Sequence, residues 1–191
     1  MLSLRSLSVA FGFVALALTA CSFHPKGPGP GPVPEEKFIA ETAKQAQSQF
    51  ALGRFKRALE VYSNAFDKYH SAGLRRGYAR MGELIISTAD TAYNRGEVAE
   101  AGIDYHILFE SGITRRDFAG KLSFDDNYLS RQIKACSRAL MESGLIKYRE
   151  EKLDEAIAIW EKALFFDPDN RNVKKAHDTA IVQLQKLKQL K

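Results

Sequence analysis

The chain has 191 residues, 45% hydrophobic and 27% charged, with a formal net charge of +5. That length and composition fit one globular domain of ordinary size. The mild basic excess suits anionic surfaces such as lipid headgroups or acidic proteins. It is not the dense Lys/Arg cluster with interleaved aromatics that nucleic-acid binding needs, so no nucleic-acid partner is expected.

Residues 1–20 read as an export signal. Arg5 supplies the positive start, and Leu7–Ala17 is an apolar run too short to span a bilayer comfortably. Leu18-Thr19-Ala20-Cys21 follows, with small residues placed before a cysteine. This order of charge, apolar run, small residues and Cys resembles the lipobox of bacterial lipoproteins. The resemblance implies cleavage before Cys21 and acylation of its thiol and amine, a palmitate-type anchor that holds the chain to a membrane. In the enterobacterial sorting pattern an Asp after the cysteine retains lipoproteins in the inner membrane. Ser22 stands there instead, which implies the outer membrane, facing the periplasm, in an organism that follows that pattern. On this reading Cys21 and Cys136 do not pair.

Residues 21–36 form the lipidated cysteine and a tether. The stretch Ser22–Glu36 holds five of the six prolines, and alternating Gly-Pro can neither form a helix nor pair as a strand. It reads as an extended spacer. Its glycines are no phosphate loop, because no Lys-Ser/Thr follows and proline removes the N–H donors.

The folded part is expected over 37–191 as an all-α domain. Phe38–Ala51 reads as a helix stopped by Gly53, followed by an amphipathic run with Phe55, Ala58, Tyr62, Ala65 and Phe66. Leu74–Arg95 reads as a longer helix ended by Gly96, and Val98, Ala101, Tyr105 and Leu108 restate the pattern. Leu108 replaces the second small residue there, and Gly102 is expected to loosen that helix. Ser111–Phe124 is an insertion carrying Arg115 and Arg116. It is open whether it serves as a plain connector or as a functional loop. Ser123 to Asp126 resembles a capping box for the next helix.

In Gly144–Asn170, Ala156, Trp160, Ala163 and Leu164 share a helix face. Asp154 stands where an N-cap is expected, and Pro168 stops the helix. Gly144, Ala156, Trp160, Ala163 and Pro168 together resemble the tetratricopeptide repeat (TPR), a helix–turn–helix unit of about 34 residues. Leu140, Ser143 and Lys147 depart from the family's usual Trp, Leu and Tyr. The alternative is an ordinary helical hairpin. The repeated alanine falls at 58, 101 and 156, at intervals of 43 and 55, so the array is irregular. The expected fold is a short TPR-like solenoid of about three helical hairpins. Asn170–Lys191 follows as a helix that caps the open end, or that binds a membrane surface or partner.

No chemistry is legible. His24, His70, His106 and His177 are scattered, no metal-binding or nucleophile motif is present, and Cys136 lies among small and apolar residues as an inert thiol. Asp125–Asn127 and Asp167–Asn170 suit helix ends, not calcium. The expectation is therefore a non-enzyme with no cofactor and no metal.

The TPR resemblance implies a groove lined by first helices, which places Gln47, Phe50, Asp90, Tyr93, Asn94, Leu145, Tyr148 and Arg149 on a protein-binding face. Phe50, Tyr93 and Tyr148 occupy one repeat position, either as an aromatic column for a partner or as packing between the helices of each hairpin. The function expected is a lipid-anchored scaffold or adaptor of the bacterial cell envelope whose partners are other envelope proteins. The alternative is an accessory regulator or activator of an envelope enzyme, or of a secretion, pilus or outer-membrane assembly complex, acting through Arg115 and Arg116.

Overall fold

A computed structural model describes residues 35–189. The expected signal segment, Cys21 and all but the last two residues of the expected tether lie outside the described residues. Seven α-helices are described: α1 (Glu35–Ala51), α2 (Phe55–Lys68), α3 (Ala72–Asn94), α4 (Val98–Ser111), α5 (Asp126–Arg149), α6 (Leu153–Phe166) and α7 (Arg171–Gln189). No strand occurs among the described residues, so this part of the chain is all-α. Two short 3-10 turns, Ile113–Arg115 and Ala119–Lys121, lie between α4 and α5.

Each helix packs on the next, with α1 on α2, α3 on α4 and α5 on α6 forming three hairpins. The loops between them are short, which makes the paired helices antiparallel. The second helices also touch in a row, α2 on α4 and α4 on α6, and α7 packs on α6. One core runs through the described helices. Ala58, Ala101 and Ala156 are fully buried, and so, almost, are Tyr62, Tyr105 and Trp160 four residues after each. A small residue followed one helical turn later by a large aromatic leaves room for a neighbouring helix and then fills the space beside it.

The three hairpin turns are copies of one another. Arg54 N–H donates to Gln49 O at 2.9 Å, Glu97 N–H to Ala92 O at 2.9 Å, and Lys152 N–H to Lys147 O at 3.0 Å. One residue earlier, Gly53, Gly96 and Glu151 donate to the carbonyls of Phe50, Tyr93 and Tyr148. This is the Schellman closure, which needs a left-handed residue. Gly53 and Gly96 supply it at φ 69° and 80°, and Glu151 takes φ 61° without being glycine. Its side chain therefore carries a strain that the two glycines avoid.

Several local expectations are corrected. The first helix starts at Glu35, taking two residues from the tether; Glu35 and Glu36 lie in its first turn, where the helix dipole favours carboxylates. α6 is entered at Lys152 with no side-chain cap, and Asp154 lies inside the first turn. The cap of α5 is Asp125, which accepts from Tyr128 N–H at 2.6 Å. Ser123 instead donates its N–H and hydroxyl to the Glu83 carboxylate, each at 2.7 Å.

Gly102 does not loosen α4. A Cβ there would lie 2.5 Å from the Phe166 ring, so the missing side chain is what lets α6 close on α4. Gly144 does the same for Trp160, whose indole Nε1 would lie 2.2 Å from such a Cβ. In this register Trp160 Nε1–H donates to Met141 O at 3.2 Å.

The 111–124 segment is packed down. Ile113, Phe118 and Phe124 are buried, with the Phe118 ring 5.9 Å from Phe66 and 5.5 Å from Tyr78. Arg116 donates to Asp67 Oδ1 at 2.9 Å and to Ser63 Oγ at 2.7 Å. Arg75 pairs with Asp117 at 3.0 Å. Thr114 bonds Asp126 on α5. The segment therefore ties α2 and α3 to the start of α5.

Candidate functional site: a cleft between α5 and α7

The expected groove residues differ in exposure and in the partners they hold. Gln47 and Asn94 are exposed. Phe50 is half-buried, its ring 5.1 Å from that of Phe55 on the partner helix of the same hairpin. Asp90 is half-buried and its Oδ1 accepts from two phenols, Tyr105 at 2.7 Å and Tyr128 at 2.9 Å, which joins α3, α4 and α5. Both tyrosines are held above the ordinary phenol range, chiefly by burial and then by the Asp90 carboxylate. They stay protonated, so each can donate to Asp90 at any physiological pH.

The aromatic column divides in the same way. Tyr93 is exposed. Tyr148 is half-buried, its ring 6.1 Å from Trp160, and its hydroxyl donates to Gln183 Oε1 on α7 at 2.5 Å. Phe50 and Tyr148 thus make packing contacts inside the protein, and Tyr93 is the most exposed of the three.

Leu145 and Tyr148 are brought together with residues that the sequence did not single out for the groove. With Met141, Trp160, Lys175 and Thr179 they line a cleft of about 420 Å³ between α5 and α7. Arg149 is exposed at the end of α5. The floor is held firmly, since Trp160 is bonded to Met141 O and Tyr148 to Gln183. Arg131, Lys134 and Arg138 continue the exposed stripe of α5 away from the cleft. Steps of three and four from 131 to 138 and on to 145 carry this signal in the sequence.

A second cleft of about 450 Å³ lies between α2 and α4, with Leu59, Tyr78, Ile107 and the exposed Phe165 among its walls. Ser63 on its wall is already bonded to Arg116. It contains none of the expected groove residues.

Burial raises the Cys136 thiol to about 12, which keeps it protonated and a poor nucleophile. Asp104, half-buried on α4, is raised to about 7 by burial and by Glu100 one turn away. Among the described residues no three His, Cys, Asp or Glu side chains are gathered as a metal site would require. None of the described helices is long and apolar enough to cross a membrane.

No family model matches the chain, and no curated protein does.

Proposed function

We propose that this chain is a lipid-anchored adaptor of the bacterial cell envelope, binding segments of other envelope proteins without catalysing a reaction. The reading combines the lipobox-like Leu18–Cys21 with a TPR-like stack of three hairpins capped by α7. The observation that carries it is the recurring hairpin register, with one Schellman turn and one small-residue/aromatic pair per hairpin. A stack built this way exposes first helices side by side, as such arrays do when they hold a partner segment. The α5–α7 cleft lies between the first helix of the third hairpin and the capping helix. The regulator reading draws no support from the 111–124 segment: Arg116 is bound to Asp67 and Ser63, and Arg115 donates to Phe109 O at 2.9 Å.

The test is affinity purification of the full chain from detergent-solubilised envelopes, beside Cys21→Ser and Leu145→Glu/Thr179→Arg variants. Cys21→Ser is expected to lose radiolabelled palmitate and leave the membrane fraction. The cleft variant is expected to stay folded and lose its co-purifying envelope proteins. A chain recovered alone under gentle crosslinking, or partners retained by the cleft variant, would defeat the adaptor reading.

A further inference from the structure

We propose that the occupant of the α5–α7 cleft is an acidic protein segment carrying one bulky apolar side chain, with its carboxylates about three to six residues from that anchor. This rests on the groove reading above and assigns the chemistry of its ligand. The apolar part follows from the cleft, whose walls are Met141, Leu145, Tyr148 and Trp160 and whose volume of about 420 Å³ accommodates a large side chain. Val182, one turn beyond Thr179 on α7, is half exposed and extends the apolar rim.

The acidic part follows from the cations beside it. Arg131, Lys134 and Arg138 on α5 and Arg171 and Lys175 on α7 are all exposed. None of the five forms an ion pair among the described residues. Of the carboxylates near this region, Asp178 on α7 is held by His177 and Lys174, Asp167 by the Asn170 amide that also bonds Ser137 on α5, and Asp90 by Tyr105 and Tyr128, while Glu142 on α5 forms no ion pair among the described residues. Acidic side chains concentrate instead on the second helices, as Glu100, Asp104 and Glu110 on α4 and Asp154, Glu155 and Glu161 on α6. The charge is therefore uneven: α5 and α7 are rich in cations and α4 and α6 in carboxylates, of which Glu155 pairs with Lys147 on α5 and Glu161 reaches His177 on α7.

Spacing sets the register of the ligand. Arg138 lies seven residues before Leu145, about 10 Å along the helix, and Arg131 about 21 Å. An extended peptide covers about 3.3 Å per residue, so carboxylates about three to six residues from the anchor reach these cations. A phosphate polymer would meet the same charges but has no use for the apolar cleft, and a flat lipid surface does not enter it.

The experiment uses the full chain in detergent and fluorescence anisotropy of labelled 14-residue peptides. One peptide carries a Leu-Trp anchor with four Glu placed as above. Its comparators replace the Glu by Gln, replace the anchor by Gly-Ser, or replace Glu by Lys. Oligothymidylate and phosphatidylglycerol vesicles are run beside them. The Glu peptide is expected to bind at least tenfold more tightly than each comparator. Arg131→Gln/Lys134→Gln/Arg138→Gln is expected to remove that margin, and Thr179→Trp, which fills the cleft, to weaken every anchored peptide. Lys56→Gln/Arg57→Gln on α2 is expected to change nothing. Circular dichroism melting checks that each variant is folded. Equal binding of Gln and Glu peptides, still sensitive to Thr179→Trp, would overturn the acidic assignment and leave the cleft reading intact. No response of any peptide to Thr179→Trp would overturn both. Oligothymidylate or vesicles binding more tightly than the peptide, with the α5 cations required, would assign the cations to phosphate and overturn the proposal.

Discussion

The second and third hairpins solve one packing problem in two ways. In α5–α6 the large aromatic is Trp160, which lies over Gly144 of its own hairpin and bonds the Met141 carbonyl. In α3–α4 the same register position is Tyr105, whose hydroxyl reaches Asp90 of α3, where Tyr128 of the next hairpin arrives as well. The third hairpin is closed by hydrocarbon and close backbone approach. The second is closed by a shared carboxylate that also fixes the following helix. A polar closure of this kind is costly to leave half-made, because a buried hydroxyl that loses its acceptor keeps its desolvation cost. The carboxylate at 90 thus fixes relative helix positions across a hairpin boundary, which Trp160 does not do.

The largest effect that separates the two closures is expected from Trp160→Ala. It empties the middle of the third hairpin and should cost about 3–5 kcal/mol, read as a lowered denaturation midpoint. Asp90→Ala leaves two phenols without their acceptor and should cost about 2–3 kcal/mol. Tyr105→Phe/Tyr128→Phe in the Asp90→Ala background should recover part of that loss. No recovery would show that the carboxylate acts by something other than satisfying those hydroxyls.

Gly144→Ala and Gly102→Ala test the close approaches. Each adds a methyl where an aromatic ring already lies, and overpacking of this kind should cost about 1–3 kcal/mol despite the better helix propensity of alanine. A stabilised Gly102→Ala would mean that α4 and α6 stand further apart than described.

Asp104 gives the second hairpin a pH dependence that arises chiefly from burial. Its carboxyl is raised from 3.8 to about 7 in the folded chain. Between those values the folded state holds a proton that the unfolded state has released. Stability therefore falls as pH rises through that window and is level above it. Asp104→Asn should remove the slope, matching the wild type near pH 4 and exceeding it by about 1–2 kcal/mol near pH 8. Urea midpoints at the two pH values decide it, and parallel curves would contradict the burial of this group.

The smallest expected effect lies in the turns. Glu151→Gly should relieve the left-handed strain at φ 61° and stabilise the third hairpin by about 0.5–1 kcal/mol. Gly53→Ala, at the matching turn of the first hairpin, should destabilise by a similar amount.

Much of the fold was legible because its signals are local. Gly53 and Gly96 mark turns, and Ala58, Ala101 and Ala156 mark close-packed faces, each read within one or two helical turns of sequence. The site was legible in part. Leu145 and Tyr148, which the TPR resemblance placed on a groove, line a cleft between α5 and α7. Asp90 could not be read the same way. Its partners lie 15 and 38 residues away, so nothing in its own neighbourhood distinguishes an exposed carboxylate from one that accepts two phenols. The 111–124 segment shows the same limit, since Arg116 is bound to residues about 50 positions earlier.

What the sequence determined by itself was therefore the order of helices, their turns and their buried faces, since each depends on backbone sterics and side-chain period within a short stretch. Only the tertiary structure decided which polar groups are used up internally and which remain free. That depends on distances between helices, and it separates the committed Asp90 and Arg116 from the unpaired cations along α5.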